Sequence, residues 1–294
     1  MIGESLTTPD KIRQAIALSN ADIACNSTVW RCCALARCLL LSALILPSTE
    51  ARSEGCPTAK DEIATDRPDV TNSSLVVPTG SLQNENGVNF NMRDDGRAID
   101  GTYSRWRLGI APCLEVLVDP PTYFANVQGP GNSGFTNVSP ALKWQISPVP
   151  GKIDLSAVFG MGLPTGSVAI AGRGVQPYVQ FPWSWELHDG WSVSGMFTEF
   201  FRPSDFIAKR ITETTFVLEK ELTEDFSVFT EYVGDYPEGA GPSLLLNSGA
   251  LYHITRTQQV DLHIAFGLNH NAPTYIFGVG YSFRLDGLFA GKRP

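Results

Sequence analysis

The chain has 294 residues, 43% of them hydrophobic and 10% aromatic, with 27 Gly, 20 Pro and a formal net charge of −8. Acidic and basic residues are mixed along it, so no basic patch recommends nucleic acid as a partner. After residue 50 no stretch approaches the roughly 18 uncharged apolar residues that mark a membrane helix, so a membrane protein with this sequence must cross with strands.

Residues 1–51 read as a leader and signal peptide. Arg31 and Arg37 precede the apolar run Leu39 to Leu46, which ends in Pro47 and the small-residue exit Thr49-Glu50-Ala51. A basic region, a short apolar region and a small residue at the cut describe secretion, and the run is too short to span a bilayer. The thirty residues before it exceed an ordinary leader, which points to a translation start further in, with Val29 as the candidate initiator. Four of the six cysteines lie in this leader, leaving Cys56 and Cys113 for the mature protein.

Residues 52–80 are polar and turn-rich without periodicity, and read as an irregular N-terminal periplasmic segment. Within them Thr65-Asp66-Arg67-Pro68-Asp69-Val70-Thr71 has two readings. The simpler one is an ordered lead-in strand with Arg67 and Asp69 pairing locally. The other is a plug entering a barrel lumen.

From residue 81 the side chains alternate with a period of two, which places successive residues on opposite faces of a strand. The first strand covers 82–92, with Val88, Phe90 and Met92 outward, and an Asp/Gly-rich loop is expected at 93–101. The second, 103–110, turns Trp106, Leu108 and Ile110 out and Arg105 and Arg107 in. The third, 114–123, places Glu115 inward; the fourth, 136–146, places Lys143 inward; the fifth, 153–163, places Asp154 inward. The sixth, 176–187, sets Val179, Phe181, Trp183 and Trp185 against Glu186. The seventh and eighth, 191–201 and 211–222, alternate imperfectly. Glu199 falls in outward register there, so it should lie above the hydrocarbon band or be shifted by a bulge. The ninth, 226–232, holds Glu231, and the tenth spans 244–254.

The last two strands alternate most clearly. Val260, Leu262, Ile264, Phe266 and Leu268 oppose Asp261, His263, Ala265, Gly267 and Asn269; Tyr275, Phe277, Val279, Tyr281 and Phe283 then oppose Ile276, Gly278, Gly280, Ser282 and Arg284. Segments of about ten residues suit a tilted crossing of the bilayer. The fold class is therefore all-β: a closed, antiparallel, up-and-down transmembrane barrel of about twelve strands over 81–284, with a C-terminal tail at 285–294.

Short turns at 111–112, 147–151, 188–190, 223–225 and 255–258 alternate with longer loops, as when short turns face the periplasm. An even count returns both termini there. Cys56 and Cys113 then share an oxidising compartment, where they can pair and pin the segment to the rim.

Several of these runs resemble one family. The Thr-Asp-Arg-Pro-Asp opening at 65–69, Val77-Pro78-Thr79-Gly80-Ser81-Leu82-Gln83, Glu231-Tyr232-Val233-Gly234 and the closing Gly278-Val279-Gly280-Tyr281-Ser282-Phe283-Arg284 are similar to motifs of the MetA-pathway of phenol degradation family of outer-membrane proteins. The resemblance spans roughly residues 63–284. It implies a barrel with a role in transport, and a hydrophobic or aromatic solute rests on it alone.

The inward positions collect Arg105, Arg107, Glu115, Lys143, Asp154, Glu186, Glu213, Glu219, Glu231, Asp261, His263 and Arg284. Such charges line a water-filled path and set its selectivity, or close it as an ion-pair network. The N-terminal motif Asp66, Arg67, Pro68 and Asp69 is the other candidate site. His263 faces inward, against a hydrolase acting on lipid, and no spacing suits a metal, a cofactor or a phosphate loop. The expectation is an outer-membrane channel of a Gram-negative bacterium, not an enzyme. Its partners would be lipid and a small-molecule solute, taken up passively. A closed structural barrel is the alternative, and an outer-membrane hydrolase the more distant one.

Overall fold

The computed structural model describes residues 62–129, 131–149, 153–202 and 208–288, all within the unit Glu54–Pro294. The leader, Cys56 and the end of the tail lie outside the described residues. The strands are β1 Leu82–Arg93, β2 Gly96–Ala111, β3 Leu114–Asp119, β4 Tyr123–Gln128, β5 Gly134–Phe135, β6 Ser139–Val149 and β7 Ile153–Gly162. After the single helical turn α1 Val168–Ala171 come β8 Gln176–Glu186, β9 Trp191–Phe201, β10 Arg210–Thr223, β11 Phe226–Pro237, β12 Ser243–Thr255, β13 Gln258–Gly267 and β14 Tyr275–Leu285.

The strand neighbours are antiparallel, and β1 pairs with both β2 and β14, so the sheet closes without a free edge. β3 and β4 pair with the two ends of β2 and form one crossing. The break falls at Pro120-Pro121, where two consecutive residues lack an N–H for the ladder. β5 continues the β4 ladder as β6 continues that of β3, giving a second composite crossing and twelve in all.

Burial is inverted relative to a soluble sheet. Outward Leu262, Phe159 and Trp144 are 51%, 52% and 52% exposed, while inward Arg107, Glu115 and Lys143 are 0% exposed. An apolar skin around a charged interior suits hydrocarbon outside, because in lipid the closed ladder satisfies every strand's backbone.

Two expectations change, and of the two alternatives for Glu199 one holds. The stretch expected as a loop at 93–101 is mostly strand: β1 and β2 continue to a two-residue turn at Asp94-Asp95, with Phe90 opposite Ile99 and Met92 opposite Arg97. Apolar cross-strand pairs carry the ladder through a stretch whose Asp and Gly content suggested a break. β11 runs to Pro237 instead of ending near Tyr232. Glu199 stays outward with no register shift in either ladder, two residues from the end of β9, where Thr212 Oγ1 donates to it at 2.7 Å and Arg210 lies 3.6 Å away. Position along the strand, not a bulge, accounts for it.

Connections at one end are short (112–113, 187–190, 224–225, 256–257) and at the other mostly long (163–175, 202–209, 238–242, 268–274).

Candidate functional site in the barrel lumen

Residues 62–80 do not lie below the barrel as a separate segment; they dip into it from the short-turn end. Ile63 N donates to Arg256 O at 2.8 Å, and Gly80 N to Gly109 O at 2.8 Å, so both ends of the dip are tied to the rim. Between them the chain follows the inner wall. Arg67 reaches Asp261 of β13 at 3.1 Å, Thr71 meets Glu231 of β11 and Thr215 of β10, and Asn72 meets Gln180 of β8. Ser74 meets Ser184 of β8 and Ser156 of β7, Val76 meets Gln145 of β6, and Val77 meets Glu115 of β3. The strands are visited in descending order, so the segment is a belt that circles the lumen.

A belt without regular structure has no ladder partner for its backbone, and the wall's side chains supply one. Asp66 N donates to Glu85 at 2.8 Å, Thr71 N to Glu231 at 2.9 Å, Val76 N to Gln145 at 3.1 Å and Val77 N to Glu115 at 2.6 Å. Arg67 pairs across the chain with Asp261 and not with Asp69, which corrects the lead-in reading. Its guanidinium lies flat on Gly87 and Gly280, where an added Cβ would collide with it.

The near end of the belt is held by ions. Asp66 lies 3.1 Å from both Arg105 and Arg107 and 3.6 Å from Lys143. Arg107 grips Glu115 at 3.0 and 3.3 Å and reaches Glu85 at 3.1 Å, while Arg105 grips Asp119 at 2.7 and 2.8 Å. Burial works against the charged form of Asp66, but Arg107, Lys143 and Arg105 overcome it and hold the carboxyl well below the usual range. The far side is held by Glu231, which accepts from Val70 N, Thr71 N, Thr71 Oγ1 and Asn247 Nδ2 at 2.8 to 3.1 Å. Asp69 stands beside this clamp, and among the described residues no cation is paired with it. Burial, then the facing carboxylates of Glu231 and Glu219, push it well above the ordinary range.

Two cavities among the described residues border the belt or the residues it bonds. One of about 450 Å³ in the long-loop half is bordered by Arg105, Asp119, Tyr178, Gln180, Phe200, Glu213 and Asp235. The other, about 210 Å³ toward the short turns, is bordered by Asp69, Asn72, Ser184, Glu186, Glu219 and His253. Asn72 touches the walls of both: its Nδ2 donates to Gln180 at 2.8 Å and its Oδ1 accepts from Arg105 at 2.8 Å.

The expected inward residues thus take different places. Arg105, Arg107, Glu115 and Lys143 form the ion cluster, and Glu231 and Asp261 hold the belt. Glu186 borders the smaller cavity, and Asp154 stands opposite Ser184 with the parity of Ser156. His263 is wedged between Asn247 and Asn89 at 3.0 and 3.2 Å. Arg284 sits at the rim on Asp286 and the Glu62 carbonyl. Pro68 is buried within the belt. Cys113 is disulfide-bonded in a left-handed turn, φ 59°; Cys56 lies outside the described residues. Sequence reasoning missed Glu85 and Asp119, whose parity was available, and Asn72, which carried no signal.

Solved structures share this architecture at low identity. The COG4313 outer membrane channel from Pseudomonas putida F1 is 10% identical, with 71% of this chain and 97% of that one covered and a TM-score of 0.54. A NanC porin is 10% identical, with 69% and 100% covered and a TM-score of 0.51. The likeness concerns the fold, that of an outer-membrane β-barrel. No curated protein sequence matches. The family described as Putative MetA-pathway of phenol degradation matches residues 65–285, from the belt's opening motif to the last strand, and the chain belongs to it.

Proposed function

We propose that the protein is a passive channel for small solutes across the outer membrane, with its short turns toward the periplasm and its belt as the gate. The carrying observation is the pair of cavities, about 450 and 210 Å³: Asn72 borders the smaller, and its side chain bonds Arg105 and Gln180, which border the larger. In this reading the two cavities are successive parts of one path, and the Asn72 amide that bridges Arg105 and Gln180 is the barrier between them. Withdrawal of the belt, or a local shift of residues 70–74, would join them, and solute would then move down its gradient. In this reading the disulfide at Cys113 joins it to Cys56 and keeps the released segment near the rim.

The family's description favours phenol-like aromatics as the solute class. The test is conductance of refolded protein in planar bilayers, with uptake of phenol by vesicles, for the parent chain and for Asn72→Gly. Step currents that increase in the variant support the channel. Silence from both, with heat-modifiable mobility showing intact barrels, supports a closed structural barrel instead.

A further inference from the structure

We infer that Glu213 and Asp235 make the long-loop half of the passage selective for cations, so that inorganic cations and small organic ammonium ions enter in preference to anions of equal size. This rests on the channel reading above. The larger cavity contains Arg105, and a lone guanidinium would attract anions, but its charge is engaged. Asp119 holds it at 2.7 and 2.8 Å and Asp66 at 3.1 Å.

No such partner balances the opposite wall. Glu213 of β10 and Asp235 of β11 face each other directly in register, and both side chains border the cavity. Among the described residues no basic side chain is ion-paired with either; Arg210, nearby in sequence, is directed to outward Glu199 and Glu238. The two residues are direct cross-strand partners whose side chains share the inner face. Carboxylates directly opposite one another repel, and a cation between them relieves that repulsion. The site therefore has room for positive charge and none to spare for negative.

The adjoining row gives the site a second character. Gln180, Thr198, Glu213 and Asp235 lie level across four strands, and one step toward the long loops lie Tyr178, Phe200 and Ile211. The rings of Tyr178 and Phe200 are 5.9 Å apart, centroid to centroid. Aromatic rings beside carboxylates suit a cation with an apolar body, because the rings offer apolar contact and the acids take the charge. An aromatic carboxylate of the same size meets the same rings but is repelled by the acids.

The experiment is the reversal potential of the full chain in a KCl gradient, compared with the Glu213→Gln/Asp235→Asn double variant. Both are measured with and without Asn72→Gly, so that the belt does not limit the current. Vesicle swelling in benzylammonium chloride against sodium benzoate supplies the size-matched organic pair. Expected is a several-fold preference for potassium over chloride, and for benzylammonium over benzoate, falling toward unity in the double variant. Should that variant fail to fold, Asp235→Asn alone should move the ratio in the same direction. Currents whose ion preference ignores both substitutions overturn this inference and leave the channel standing. Absence of current even with Asn72→Gly removes both.

Discussion

Asp66→Asn tests the belt where it is held by charge. The carboxylate side chain is 1% exposed, and it faces Arg105 and Arg107 at 3.1 Å and Lys143 at 3.6 Å. The amide keeps the size and the acceptor for Ser73 N, which donates to Asp66 at 2.9 Å, so the substitution removes charge and little else. Removing one partner of a buried ion pair costs about 3–5 kcal/mol. At a factor of ten per 1.4 kcal/mol, the population with an undocked belt rises about a hundred- to several-thousand-fold. That cost should fall on docking, because the strand ladders share no hydrogen bond with this side chain. Hydrogen exchange read by mass spectrometry follows it: Val70, Thr71, Val76 and Val77 should lose protection while β8 to β13 keep theirs. Single-channel openings should lengthen in parallel. Unchanged exchange of the belt in a barrel with normal heat-modifiable mobility would refute the reasoning. Equal loss across the strands would place Asp66 in barrel stability instead of docking.

Asp69 gives the pH dependence. Its carboxyl is raised in the docked belt by burial and by Glu231 and Glu219, so docking is strongest below the ordinary carboxylate pKa of about 3.9 and weakens as pH rises through the raised value. Conductance should fall on acidification through that window, and Asp69→Asn should flatten the profile. Asp66, depressed by its cations, stabilises docking above the ordinary value and loses this only as pH falls through its lower one, so it leaves the Asp69 window unchanged. Asn72→Gly should raise unit conductance with melting of the barrel unchanged, read in the same bilayers; equal conductance would move the barrier elsewhere. Leu262→Arg, at a 51% exposed position in the middle of β13, should destabilise the barrel in lipid by about 2–4 kcal/mol, measured by denaturant titration in vesicles.

Alternation made the barrel legible because the two sides of its wall meet opposite solvents. Leu262 against Asp261, or Trp144 against Lys143, declares its face from its chemistry alone, and twelve crossings follow from repeating the test. The same parity applied to β1 and β3 finds Glu85 and Asp119, two of the acids that surround Arg105 and Arg107. The belt was not legible in this way. Residues 62–80 have no period, since each backbone donor meets a different side chain of a curved wall, and a chain satisfied by side chains has no parity to read. Asn72 is an ordinary turn residue in sequence and gains its place only from Arg105 and Gln180, 33 and 108 positions away. The Asp94-Asp95 turn failed for a related reason: local turn chemistry was visible, but the pairing of Phe90 with Ile99 that shortens it is a property of two strands.

The chemistry of the belt's seat bears on whether it is filler or gate. An apolar plug would be held by burial, and withdrawing it would expose apolar surface on plug and wall at about 25 cal/mol per Å². Here Ile63, Leu75, Val76 and Val77 are buried near the belt's ends, but between them the seat is ionic and hydrogen-bonded, through Asp66, Arg67, Thr71 and Asn72 on one side and Glu85, Glu231, Asp261 and Gln180 on the other. Water can replace each of these when the belt leaves, so the net worth of a neutral bond is only about 0.5–1.5 kcal/mol, although each is costly to break in a dry lumen. The seat is therefore strong while water is excluded and weak once it enters. Asp69, set against Glu231 and Glu219, is favoured docked in its protonated form, so its ionisation loads one contact toward release. A segment meant only to fill the barrel would gain nothing from that carboxylate; a gate that opens by admitting water would.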